Sequence, residues 1–327
     1  MKLSSRWFIY PVVLLAIVFL VQQGSLSQQP LNGFELSQPL IPADQIFHGG
    51  PPKDGIPALD SPSFDAANKA AELRDADKVL GLVHNGQARA YPIRILNYHE
   101  LVNDRVGDEA VLISYCPLCG TGMAFRREID SRVYNFGVSG LLYNSDVLMY
   151  DRQTQSLWSQ ILGKAVNGPL KGSALEQLPL EHTRWGEWRR RYPDSLVLSF
   201  QTGHSRDYSR TPYEGYSQSS SLYFPVANRD GRYHPKEKVI GVSFGGEQRV
   251  YPFSELEKHF AGVALGNRQQ ALKSQVGGQV FVLHFNKSAQ SARITDGEGR
   301  ALPSLTAYWF AWIAFYPDSE VFQAQAR

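Results

Sequence analysis

Lys78-Val79-Leu80-Gly81-Leu82-Val83-His84-Asn85-Gly86-Gln87-Ala88-Arg89-Ala90-Tyr91-Pro92 returns 160 residues later (238 − 78) as Lys238-Val239-Ile240-Gly241-Val242-Ser243-Phe244-Gly245-Gly246-Glu247-Gln248-Arg249-Val250-Tyr251-Pro252. In each copy two apolar-rich runs flank an Asn-Gly or Gly-Gly pair. Those dipeptides suit the positive φ angles of a two-residue hairpin turn. Each copy then enters a helix-like segment with a histidine, His99 in Asn97-Tyr98-His99-Glu100 and His259 in Lys258-His259. Farther on, Trp185, Trp188 and Tyr192-Pro193-Asp194-Ser195 return as Trp309, Trp312 and Tyr316-Pro317-Asp318-Ser319, 124 residues later (309 − 185). The second copy is thus 36 residues shorter in its middle (160 − 124). The tryptophans stand three apart, the spacing of packing residues on one helix face. The expected fold is α+β, mainly antiparallel β with short helices, in two related lobes from an internal duplication.

The chain has two cysteines, Cys116 and Cys119, in Ser114-Tyr115-Cys116-Pro117-Leu118-Cys119-Gly120-Thr121-Gly122. Both lie in the middle region of the first copy, so the second copy has none. A strand-like run, Val111 to Tyr115, leads into them. Met123 to Val138 reads as two strands around Asp130-Ser131, and two glycines disfavour a helix start at Cys119. The pair is therefore expected on a loop between strands. Such a loop lacks the helix N-terminus that lowers a thiol pKa in redox motifs. Two sulfurs at this spacing reach one metal ion or each other, and one Cys-x-x-Cys is half of a structural zinc site. A structural disulfide or two small buried residues is the plain alternative.

At 327 residues and a formal net charge of +2 the chain can bury a sizeable core, and it offers no basic surface for nucleic acid. Lys2 and Arg6 precede an apolar run from Phe8 to Val21, short for a bilayer span, with Ser25-Leu26-Ser27 after it. Residues 1–27 read as a secretory signal, cleaved or kept as a membrane anchor. The expected location is the periplasm or the outer face of the cytoplasmic membrane. Residues 28–47 read as a linker, 48–200 as the first lobe, 201–234 as a connecting excursion and 235–327 as the second lobe. Ala66 to Ala76 reads as helical. After the cysteines a meander is expected: Arg132 to Val138, a break at Ser139-Gly140, then Asp146 to Asp151 and Ser156 to Leu162. Asn144-Ser145-Asp146 puts polar groups among apolar ones and could line a site. Asp151 and Arg152 read as a turn ion pair. The Tyr-, Gly- and Ser-rich stretch from Gln201 to Pro225 is either a plain linker or a lid.

Tyr115-Cys116-Pro117-Leu118-Cys119-Gly120, Phe136-Gly137-Val138-Ser139-Gly140-Leu141-Leu142, Asn144-Ser145-Asp146 and Met149-Tyr150-Asp151-Arg152 together resemble the domain-of-unknown-function 3179 family. Asp54-Gly55-Ile56-Pro57, Ala90-Tyr91-Pro92 and Asn97-Tyr98-His99-Glu100 fit the same pattern. The resemblance runs from about His48 to Tyr216. It implies an exported bacterial or archaeal protein and carries over no catalytic residues.

Three functions follow from the residues. The first is a copper or zinc site with Cys116 and Cys119 as ligands, His99 as the first further ligand and His48 the second; His84 and His204 are other candidates. Glu100 would act as general base if a metal-bound water exists. The plain reading of His99 and of its counterpart His259 is packing between helix and hairpin. The second function is a thiol–disulfide oxidoreductase with Cys116 as nucleophile. The third is a non-enzymatic binding module with structural cysteines. No phosphate loop or dinucleotide fingerprint is present.

Overall fold

In each copy the residues around the turn pair take the conformation their chemistry favours. Lys78–His84 pairs antiparallel with Gln87–Pro92, and Lys238–Phe244 with Glu247–Pro252. All four turn residues, Asn85, Gly86, Gly245 and Gly246, have positive φ. Helices Ile93–His99 and Phe253–His259 follow at once. This computed structural model describes residues 29–261 and 270–325; the basic and apolar N-terminal segment lies outside them.

The tryptophan matches also take like positions. Strand Glu181–Arg184 pairs with Lys78–His84, and Leu305–Tyr308 pairs with Lys238–Phe244. Each leads into a seven-residue helix, Trp185–Arg191 or Trp309–Phe315. A short strand then returns parallel to the hairpin, with Leu196 opposite Arg89 and Glu320 opposite Arg249. Trp188 and Trp312 are buried, and their indole N–H groups donate to Ser195 Oγ at 3.2 Å and Ser319 Oγ at 2.8 Å. Each ring lies flush on a strand glycine: a Cβ on Gly81 would be 2.1 Å from Trp188, and one on Gly241 would be 2.1 Å from Trp312.

Among the described residues the chain forms five sheets of three to five strands, a small hairpin and four short α-helices. Pairing is almost all antiparallel. The number and make-up of the sheets suit a five-bladed, propeller-like ring. One hydrophobic cluster joins Cys116, Leu118, Met123 and Trp158 to Val239, Val250, Trp309 and Trp312, so the 48–200 and 235–327 stretches share a core. The 28–47 stretch, expected as a linker, adds Phe34, Ile41 and Ile46 to a cluster with Leu141 and Leu148.

Three local expectations need correction. Ala66 to Ala76 holds one 3-10 turn, Ala67–Lys69, rather than a helix. The Asp77 side chain accepts the Arg74 amide, and the carbonyls of Asp75 and Asp77 accept the free amides of Gly186 and Trp185 at the start of the tryptophan helix. Ser139-Gly140 is a bulge inside one strand, Phe136–Tyr143, and does not end it. Asn32 Nδ2 reaches the bulge and donates to the Ser139 carbonyl at 2.7 Å. Arg152 pairs with Asp60 at 2.8 Å and Asp54 at 3.6 Å, while Asp151 accepts from Thr154 and the Trp158 indole.

Gly81→Ala and Gly241→Ala should each destabilise the protein by about 1–3 kcal/mol, because a buried indole must move to admit one methyl group. Denaturant unfolding of the two variants checks this. A loss within error of zero in either one would contradict the packing described.

Candidate metal centre

The cysteines sit in the turn between strands Glu109–Cys116 and Thr121–Arg126, where Cys116 faces Thr121 across the pair. The strand–loop–strand setting expected for them is what the chain adopts. The corresponding hairpin in the second copy joins Gln279–Asn286 to Ser291–Thr295, with Asn286 facing Ser291. Both turns carry a positive φ at the fourth loop residue, Gly120 or Gln290. Counting from the paired ends, Asn286 stands where Cys116 does and Ala289 where Cys119 does. Asn286 Oδ1 accepts the Ala289 amide at 3.0 Å and closes that turn without sulfur. The same loop shape is therefore built with no cysteine.

A second hairpin brings the rest of the site. Strands Phe136–Tyr143 and Asp146–Asp151 are joined by Asn144-Ser145, both at positive φ, a two-residue turn of the I′ kind. The turn is held on three sides. Asn144 donates to the Ala314 carbonyl at 3.2 Å and accepts the Ala227 amide at 2.7 Å, and Ser145 Oγ donates to the Phe224 carbonyl at 2.9 Å. It aims the Ser145 carbonyl at the sulfurs: Cys119 Sγ donates to it at 3.3 Å and Cys116 Sγ at 3.6 Å. Asp146, the next residue, completes the set. One ligand atom each of Cys116, Cys119 and Asp146 lie within 4.8 Å of one another, and all three residues are buried.

Asp146 Oδ2 accepts the Ile161 amide at 3.1 Å, and the carboxylate also lies within reach of the Val147 amide and both thiols, though Oδ1 makes no well-formed hydrogen bond. A buried carboxylate beside two sulfurs is costly unless thiol protons, its own proton or a cation serve it. Gln160, fully buried, fixes the two hairpins to each other. It accepts from Thr121 Oγ1 at 2.7 Å, donates to Ser114 Oγ at 2.9 Å, and its amide donates to the Val147 carbonyl at 3.3 Å.

Burial sets the charges. It raises the pKa of both thiols, Cys119 the more strongly, and pushes Asp146 up to about 7. Glu100, buried at a positive-φ position after helix Ile93–His99, is pushed up to about 8 by burial first and by the Asp146 charge second. Glu100 and Cys116 line one cavity of about 120 Å³, whose other walls include Leu118, Val138, Tyr213, Tyr223 and Phe224. The last three come from the Gln201 to Pro225 stretch, which therefore covers this cavity.

The structure does not bring the expected histidines to the sulfurs. Among the described residues no group of ligand atoms within 4.8 Å of one another joins a histidine to both cysteines. His99 spends both ring nitrogens elsewhere. Its Nδ1 lies 2.8 Å from the Pro57 carbonyl, which can only accept, so Nδ1 carries the proton; Nε2 then accepts from the Tyr208 hydroxyl at 2.6 Å. Exposed His48 accepts the Gly50 amide on Nδ1, His84 pairs with Glu109 at 2.7 Å, and His204 stacks loosely on His99. His259, the counterpart of His99, packs on Phe260 and Phe322. Asp146, expected only to line a site with Asn144 and Ser145, is the carboxylate that stands beside the sulfurs instead of a histidine. Its signal is a carboxylate directly after an Asn-Ser turn and before the apolar run Val147-Leu148-Met149.

A family profile described as "Protein of unknown function (DUF3179)" matches residues 53–319. No curated protein and no solved structure matches the chain.

His99 is held neutral: burial lowers its pKa to about 4. A depressed histidine stabilises the fold above its unfolded pKa of about 6.5, and that contribution is lost as pH falls toward 4. The His99 ring resonances followed by NMR should titrate near pH 4. A midpoint at its ordinary value near 6.5 would contradict the buried Pro57–His99–Tyr208 chain.

Proposed function

The chain belongs to the DUF3179 family, and from its residues we propose that it is an exported protein holding one transition-metal ion, zinc before copper, on Cys116, Cys119 and Asp146. The observation that carries this is the buried Asp146 carboxylate within 4.8 Å of two buried free thiols. Two thiolates and a carboxylate suit Zn(II). Cu(I) favours softer donors, so the carboxylate counts against it. Three protein ligands leave a fourth position free, the pattern of a catalytic rather than a structural zinc. Glu100, on the neighbouring cavity with a pKa near working pH, is suited to give or take a proton there. This supports metal-assisted acid–base chemistry on a small molecule.

The redox reading ranks lower. Its nucleophile must be an accessible thiolate of lowered pKa, whereas Cys116 and Cys119 are buried with raised pKa and no helix begins at them. A binding module with structural cysteines ranks lower too, since the loop around Asn286 and Ala289 keeps its shape without sulfur. Export rests on the basic and apolar start of the sequence. We read the like hairpins, glycine-backed tryptophans and thiol-free loop as products of an internal duplication, with the Asp146 sheet an addition to the first copy.

Purified protein should take up one equivalent of zinc. Cys116→Ser with Cys119→Ser should abolish uptake, Asp146→Asn should weaken it at least ~10-fold, and His99→Ala should leave it unchanged. Metal analysis after dialysis reads all four. Equal zinc content in wild type and the double serine variant would refute the site.

A further inference from the structure

A second cavity, of about 310 Å³, lies on the other side of the cysteine turn. Pro117 and Tyr213 line both this cavity and the smaller one beside Cys116, so they form the wall between them. Nothing in the metal reading uses it. Its size is that of a site for a small molecule.

Two of its groups lack partners. The Tyr216 hydroxyl is buried with no hydrogen bond, though its side chain is 3% exposed. A phenol left so pays a desolvation cost that a ligand acceptor would remove. The Lys78 ammonium, at an exposed position on the rim, makes no hydrogen bond or ion pair with the described residues, and partial desolvation together with the Arg184 guanidinium lowers its pKa. An anion would accept from the Tyr216 hydroxyl and pair with the ammonium at the rim. The neighbouring Arg94 is already committed to the carbonyls of Tyr208 and Glu72 and to Asp77. The rings of Tyr115, Tyr213 and Tyr308 supply apolar walls.

We propose that this cavity binds a small organic carboxylate, its carboxylate on Lys78 and Tyr216 and its hydrocarbon body against the tyrosine rings. One free cation and one free hydroxyl match a singly charged carboxylate. A phosphate dianion would want a free guanidinium fork, which Arg94 does not offer. The site stands independently of the metal.

Saturation-transfer NMR with benzoate, and separately with inorganic phosphate, tests it on wild type, Lys78→Met and Tyr216→Phe. Benzoate should bind wild type, weaken by about tenfold in Lys78→Met and weaken by a smaller factor in Tyr216→Phe. Zinc uptake should be the same in all three, which separates this outcome from failure of the metal site. No benzoate binding to wild type, or equal binding to Lys78→Met, would overturn the proposal, and tighter binding of phosphate than of benzoate would overturn the ligand class.

Discussion

Two thiols and a carboxylate share one dry space, and most of what is distinctive in this protein bears on their charge. Were all three ionised within 4.8 Å, each pair would repel by about 3–4 kcal/mol at an effective dielectric near 20, or about 10 kcal/mol together. Without a cation the cluster holds its protons more tightly, which is the direction in which Cys116, Cys119 and Asp146 are pushed. A divalent ion reverses the sign of the same terms. Metal affinity should therefore rise with pH as the ligands release protons, and the bound ion would offset a repulsion that the fold has already built in.

The scaffold around this cluster is redundant. Two hairpins, two glycine-backed tryptophans and two parallel return strands hold the halves in matching form. The Cys116–Cys119–Asp146 cluster lies in one half. Where the second copy closes its turn with Asn286, the first places a sulfur, and a sheet with no counterpart among the described residues of the second copy delivers Asp146. The Gln160 side chain then locks that sheet onto the thiol hairpin through two hydrogen bonds, to Thr121 and Ser114. Precision in the site depends on this buried amide more than on the loop itself.

Local structure was the most readable part of the sequence. Asn85-Gly86 and Gly245-Gly246 declare hairpins because few other pairs accept positive φ twice, and the glycines after Cys119 argued correctly against a helix there. The Ala66–Ala76 stretch misled because helix propensity was outweighed by Asp77 and by carbonyls recruited to cap a distant helix. The site was half readable. A cysteine pair announces itself by spacing. Asp146 reaches it from 27 residues away (146 − 119) across a sheet-to-sheet contact that no local pattern encodes, while His99, close in sequence, is turned toward Pro57 and Tyr208.

The central claim is that one ion is held by both sulfurs and the Asp146 carboxylate. X-ray absorption at the zinc edge of the loaded protein reads that donor set directly. Two sulfur scatterers at about 2.3 Å with oxygen at about 2.0 Å are expected, the oxygen contribution changing in Asp146→Asn. A shell of nitrogen and oxygen alone, with no sulfur, would contradict the account.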